Sequence, residues 1–124
     1  MKILNKKKKI QSFFINKNSK IIDAISHLDK ISSKFLIVVN NENSFLGVLN
    51  DGDVRRGILK GYNIENSINK IYNKKPIVFN KQIDFHFAEK IFDEKKINFF
   101  PILKKKKVET IYFRDDYGEE SIKN

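Results

Sequence analysis

The apolar run Phe35–Val39 (FLIVV) is answered by residues 99–103 (FFPIL), an offset of 64 (99 − 35). Ile15, Asn16 and Lys17 are answered at the same offset by Phe79, Asn80 and Lys81. Shortening the next turn by one residue aligns Phe45, Val48 and Leu49 with Val108, Ile111 and Tyr112, and sets Asp53 opposite Asp116. A whole order of elements with one localised slip is the signature of an internal repeat. Each copy is about 60 residues long, a size at which burial is marginal, so the two halves are expected to share a core.

Within the first copy, residues 13–15 predict a strand. Ser19 is placed to cap a helix by accepting from the free amides of its first turn, and Ile21, Ile22, Ile25, Leu28 and Ile31 form a stripe at helical spacing. FLIVV reads as a buried strand, residues 40–43 as a turn, and SFLGVLN as a second strand ending at Asn50. A helix is expected over DGDVRRGILK, with Val54, Ile58 and Leu59 inward. The order is strand, helix, strand, strand, helix. A linker from Gly61 carries Ile64, Ile68 and Ile71 on a short helix. Pro76 then opens a strand, PIVF, before a helical run with Ile83, Phe87, Ile91 and Phe92 on one face. The expected organisation is a basic segment over residues 1–12, a first repeat over 13–60, a linker over 61–75 and a second repeat over 76–124.

The chain has no cysteine, which removes disulfides, thiolate zinc sites and cysteine nucleophiles together. No run approaches the roughly 20 apolar residues that cross a bilayer, and the opening MKILNKKKKIQSFF lacks the apolar centre of a secretion signal, so the cytoplasm is expected and a membrane is not. A formal charge of +10 invites a nucleic-acid reading. The balance is nearly all lysine, however, with Arg55, Arg56 and Arg114 the only arginines, whereas base readout favours arginine forks and aromatic platforms. Nucleic acid is therefore not the expected partner. The lysine runs at 6–9 and 104–107 read as a solvated tail and a hairpin turn.

FLIVVNNENSFLGVLNDGDVRRGIL resembles the core of a cystathionine-β-synthase-type (CBS) domain: an apolar strand, a turn, an apolar pair, Gly, two apolar residues, Thr or Ser, two variable residues and Asp. The Gly is Gly47, the following pair Val48 and Leu49, and the Asp is Asp53; Asn50 departs from Thr or Ser. The resemblance extends over nearly all the chain after residue 12, since paired CBS domains form a Bateman module. It implies an α/β (α+β) CBS-domain pair, two β-α-β-β-α repeats with pseudo-twofold symmetry. The stretch LNDGDVRRGILKGYNIENSINKIYNKKPIV, followed later by IYFRDDYGEE, is similar to the CBS segment preceding the catalytic domain of certain bacterial sugar-phosphate nucleotidyltransferases. The Gly-rich GGxGTR loop of such a domain does not occur in these 124 residues, so the chain is expected to be the regulatory part of a longer protein or a free-standing relative. The second copy is degenerate: Thr110 replaces the Gly and Phe113 the Thr or Ser, while Asp116 keeps the acid.

The resemblance implies a regulatory adenine nucleotide (AMP, ADP or ATP) as ligand, with no required cofactor. A carboxylate at a helix start accepts from both vicinal hydroxyls of a ribose, and a polar side chain three residues earlier reaches the same sugar or a phosphate; Asp53 and Asn50 fit these roles. The helix amides, from Asp51 and Gly52 onward, suit a phosphate, with Arg55 and Arg56 adding charge-assisted bonds. By the family's geometry the base lies against Ile15, Asn16 and Lys17 and against Phe35, Leu36 and Ile37. A weaker second site involves Arg114, Asp116, Phe79 and Phe100. Simpler roles stand beside these: Asp51, Asp53 or Asp116 as helix caps, Arg56 as a solvated cation, the phenylalanines as core or dimer surface, and His27 and His86 as ordinary residues.

No nucleophile and base pair, metal cluster or triphosphate loop is present, which argues against an enzyme and against a metal site. The expected function is a nucleotide-binding regulatory module, homodimeric, fused to or associated with a nucleotidyltransferase domain. A module that has lost its ligand and only dimerises is the alternative.

Overall fold

The computed structural model describes residues 1–32 and 34–114. Its elements are β1 (Lys2–Leu4), α1 (Lys7–Gln11), β2 (Phe14–Asn16), α2 (Ile21–Lys30), β3 (Phe35–Val39), β4 (Phe45–Asn50), α3 (Asp51–Leu59), a short 3₁₀ turn (Ile68–Lys70), α4 (Phe85–Lys95), β5 (Phe99–Lys104) and β6 (Lys107–Phe113). They build two three-stranded sheets, ordered β2-β3-β4 and β1-β6-β5.

The repeat is exact in hydrogen-bond register. Phe35 faces Asn50, Leu36 faces Leu49, Ile37 faces Val48 and Val38 faces Gly47; Phe99 faces Phe113, Phe100 faces Tyr112, Pro101 faces Ile111 and Ile102 faces Thr110. The register shift also falls at equivalent places, between Val38 and Val39 and between Ile102 and Leu103. A bulge bends a strand and increases its twist, so the two hairpins curve alike. The buried faces of the helices match too: Ala24 and Leu28 on α2 answer Ala88 and Phe92 on α4.

The apolar residues divide between a large cluster, which joins the first repeat to Leu4, Ile10, Ile111 and Phe113, and a smaller one of Ala88, Ile91, Phe92, Phe100, Ile102 and Tyr112. Strand alternation on β6 makes the division: Ile111 and Phe113 face the shared core while Tyr112 faces α4. The expected common core is thus supplied by one face of the second sheet. At its centre Phe35 stacks on Phe13 (4.9 Å between centroids) and on Phe99 (3.7 Å), with Phe113 beside it.

Several sequence expectations need correction. The lysines at 6–9 do not belong to a tail: Ile10 is buried, α1 forms around it, and β1 pairs antiparallel with β6 as an edge of the second sheet. Ser19 does not cap α2. The N-cap is Lys20, and linker carbonyls take the free amides instead, Ile21 N donating to Asn66 O (2.8 Å) and Ile22 N to Ile64 O (2.9 Å). On α3 only Val54 and Gly57 are buried, because Ile71 of the linker packs on Gly57; Ile58 and Leu59 face outward, Leu59 80% exposed. Ile22 and Phe87 are likewise exposed, off the buried faces of their helices.

The strand PIVF reduces to one parallel bridge, Phe79 with Ile102. Proline explains it. In the first repeat Ile37 N donates to Phe13 O at 2.7 Å; the equivalent donor in the second repeat falls on Pro101, which has no N–H. The segment from Lys75 to Ile77 is consequently free of the ladder.

Candidate functional site: a cleft between the repeats

Gly47 fixes one wall. A Cβ there would lie 2.2 Å from Asn73 O and 2.8 Å from the Tyr72 ring, so only glycine permits the linker to cross β4 this closely. Val48 N donates to Asn73 O (3.0 Å) and Asn73 N to Val48 O (2.8 Å), which anchors the linker as it runs on to Lys75, Pro76 and Ile77. The opposite wall is the end of α4 and the start of β5: Lys96, left-handed at φ 53°, then Ile97, Asn98 and Phe99. Between them lies a cleft of about 310 Å³, with Phe35, Val48 and Phe99 as apolar surface, Asn50, Asn73 and Asn98 as amides, and Lys75 and Lys96 as cations. Among the described residues no carboxylate lines it.

Asn50 stands on this cleft as the N-cap of α3. Its Oδ1 accepts from Asp53 N (2.8 Å), and Asp53 Oδ2 accepts from Asn50 N (3.0 Å), a reciprocal capping box. The other Asp53 oxygen accepts from Arg56 Nη2 at 2.9 Å. The carboxylate is 14% exposed and both oxygens are engaged, though each retains a second lone pair. The cap uses only the oxygen of Asn50 and leaves its amide nitrogen as a donor.

Of the residues singled out from sequence, Asn50 and Phe35 line the cleft, while Asp53 and Arg56 border an adjoining hollow of about 290 Å³ with Gly57, Lys60, Tyr62, Lys70, Ile71, Tyr72 and Asn73. Gly52 lies under Arg56, whose Nη1 is 2.9 Å from where a Cβ would stand. Asp51 belongs to a separate depression with Ile22, Ile25, Ser26, Asp29 and Lys34, and Arg55 is exposed. Leu36 and Ile37 are core.

Ile15, Asn16 and Lys17 are not at the cleft. Asn16 pairs with Val39, at the other end of β3 from Phe35, and four residues of strand span about 13 Å. The wall comes instead from Lys75, at the end of the linker, and from Pro76 and Ile77 of the second repeat. Sequence reasoning missed these, together with Asn73, Lys96, Ile97, Asn98 and Phe99; the offset of 64 applied to Phe35 points to Phe99 alone, and no local signal marked the others.

The counterpart cleft is filled. Val48, Asn50 and Ile77 correspond to Ile111, Phe113 and Phe13, all buried, with the Phe13 and Phe113 rings 6.2 Å apart. Of the weaker second site, Phe79 and Phe100 pack edge to face in the smaller core at 5.2 Å, and Arg114 is exposed while its N donates to Asn98 O. Asp116 lies outside the described residues. Thr110 is buried and accepts from Gln82 Nε2 at 3.2 Å. His27 Nε2 donates to Ser12 O, a structural tie. Among the described residues no group of three or more His, Asp or Glu is placed to hold a metal ion, and no helix is long and apolar enough to cross a membrane.

No protein-family model matches the sequence, and no curated protein does. Solved structures do match. The CBS domains of a transcriptional regulator from Streptococcus pneumoniae superpose with a TM-score of 0.70 at 14% identity, covering 88% of this chain and 89% of that one. The fold is that of a CBS-domain pair. The CBS pair of protein MJ0100, solved with 5'-methylthioadenosine and S-adenosyl-L-methionine, matches with a TM-score of 0.69 at 16% identity, over 90% of this chain and 87% of that one. CBSX2, solved with AMP, matches at 0.68 and 18%, over 91% and 90%.

Proposed function

We propose that this CBS pair is a regulatory module that binds one adenine nucleotide in the cleft between its repeats. The observation that carries the reading is the cleft itself: apolar walls for a planar base, three amides for its edge and for the ribose, and Lys75 and Lys96 for phosphate, with no opposing acid among the described residues. The AMP complex of CBSX2 and the adenosyl ligands of MJ0100 support the ligand class. Lysine pairs favour the phosphorylated nucleotides over the sulfonium cation of S-adenosylmethionine.

Regulation follows from linkage: a ligand that prefers one arrangement of the repeats shifts an attached domain by that difference in affinity. The similarity around residues 49–78 supports a sugar-phosphate nucleotidyltransferase as the controlled partner, in the cytoplasm, and the exposed Ile22, Ile58, Leu59, Phe85 and Phe87 on helix faces support a homodimer. Isothermal titration with AMP, ADP, ATP and S-adenosylmethionine tests the ligand; absence of heat with all of them at millimolar concentration sinks it. The engaged Asp53 carboxylate favours one competing reading, a ligand-free dimerisation module. Sedimentation then finds a dimer whose stability no nucleotide alters.

A further inference from the structure

Folding brings together two lysine runs that stand near opposite ends of the chain. Lys6 to Lys9 surround the start of α1, and Lys104 to Lys107 make the turn between β5 and β6; all but the half-buried Lys9 are exposed. Because α1 packs on β6, Lys7 and Lys107 line one hollow of about 250 Å³, whose apolar surface is Ile10, Val108 and the half-buried Phe14. Against these cations stand Glu42, which lines the same hollow, and Glu109, 3.9 Å from Lys104. The turn itself is strained. Lys105 and Lys106 both have left-handed backbones, φ 51° and 67°, in a two-residue hairpin turn that Asn-Gly fills without steric penalty. Contacts with the first repeat hold it in place, Phe45 N donating to Lys106 O at 2.8 Å and Lys107 Nζ to Glu42 O. Backbone strain enforced by the surrounding structure concentrates at functional positions, and here it presents two charges at a fixed tip.

We propose that the lysines of α1 and of the β5–β6 turn form a site for single-stranded nucleic acid, with backbone phosphates on the two runs and an unpaired base against Phe14. Lysine is a point charge that contacts phosphates without reading bases, so the scarcity of arginine bears on sequence preference and not on binding. Cations on two sides of a hollow straddle a narrow chain, whereas a lipid surface meets a plane of cations, and the apolar surface between Lys7 and Lys107 suits the face of a base. The site is independent of the cleft between the repeats, since among the described residues none lines both spaces.

The test is fluorescence anisotropy of a short labelled oligothymidylate titrated with the full chain over a range of salt, with no adenine nucleotide present. Lys105→Asn/Lys106→Gly relieves the turn and removes two charges, so its melting temperature is expected to rise while affinity falls at least about tenfold and the slope of log affinity against log salt shrinks by about 1.4. Lys7→Ala/Lys8→Ala, on the α1 side, is expected to lose affinity similarly. Lys60→Ala/Lys70→Ala removes the same charge from exposed positions outside the hollow and is expected to leave affinity within about twofold. An equal loss in this control overturns the site, as does a turn variant that is stabilised yet binds undiminished, or no anisotropy change with the unmodified chain. A duplex of the same length carries more charge, so duplex binding as tight as that of the single strand overturns the single-strand assignment. Cosedimentation with phosphatidylserine and phosphatidylcholine vesicles, without oligonucleotide binding, overturns nucleic acid as the partner.

Discussion

Phe35 and Phe99 hold equivalent positions in the two repeats, and their rings lie face to face across the pseudo-twofold, 3.7 Å between centroids and 14° between planes. The same pair closes the base of the cleft. Packing of the halves and shape of the site therefore depend on one contact. Phe35 is fully buried and Phe99 only partly so. Phe35→Ala is expected to cost about 3–5 kcal/mol of stability, whereas Phe99→Ala costs less and chiefly weakens nucleotide binding. Urea denaturation and titration of the two variants check this; equal effects on stability contradict it.

Gly47→Ala pushes a methyl group into Asn73 O and the Tyr72 ring. The linker must lift from β4, with a loss of about 1–3 kcal/mol. Amide hydrogen exchange at Val48 and Asn73 is expected to accelerate first, because those two amides hold the linker in place.

Asn50→Ala removes the cap of α3 and costs about 1 kcal/mol. Asn50→Thr keeps an oxygen for Asp53 N and recovers most of that. If the amide nitrogen of Asn50 also contacts the ligand, the threonine variant regains stability without regaining affinity, a split that thermal melts and titration together read out.

Pro101→Ile restores the N–H that Ile37 provides in the first repeat. The segment at Ile77 is expected to pair with β5, stabilising the chain by about 1 kcal/mol while narrowing the cleft. Higher thermal stability with weaker nucleotide binding is the anticipated result, and stability unchanged with binding intact argues that the proline is not what opens the cleft.

Burial holds the Tyr72 hydroxyl above its ordinary 10.0, and Glu65, through a hydrogen bond and its charge, holds Lys20 above 10.5. In both cases the folded state keeps its proton longer than the unfolded one, so the contribution is fully present below about pH 10 and is lost as pH rises through the raised values. Stability is expected to be insensitive to these groups at neutral pH and to fall in alkali, with Tyr72→Phe flattening part of the fall in a pH series of melts.

The repeat, the two hairpins and the bend after Asn50 were legible because each is a local pattern of alternation, helical spacing and turn residues. The faces of α2 and α4 were legible in part, since Ile22 and Phe87 turn outward, and the cap of α3 is Asn50 where Asp51 or Asp53 was expected. Less legible were the outward turn of Ile58 and Leu59 and the capping of α2 by the linker. Both depend on a segment distant in sequence arriving at the helix, Ile71 on Gly57 in one case and Asn66 and Ile64 at Ile21 and Ile22 in the other.

From its residues alone the chain determined that it is a doubled unit with Asn50 and Asp53 at a bend, because periodicity and capping act over a few residues. Only tertiary structure decided where a ligand would fit. The twofold brings the end of the linker at Lys75 and Pro76 and Ile77 of the second repeat against Phe35 and Asn50 of the first, and fills the matching space with Phe13 and Phe113. A cleft is a surface between segments far apart in sequence, and one missing N–H at Pro101 is enough to make its two copies unequal.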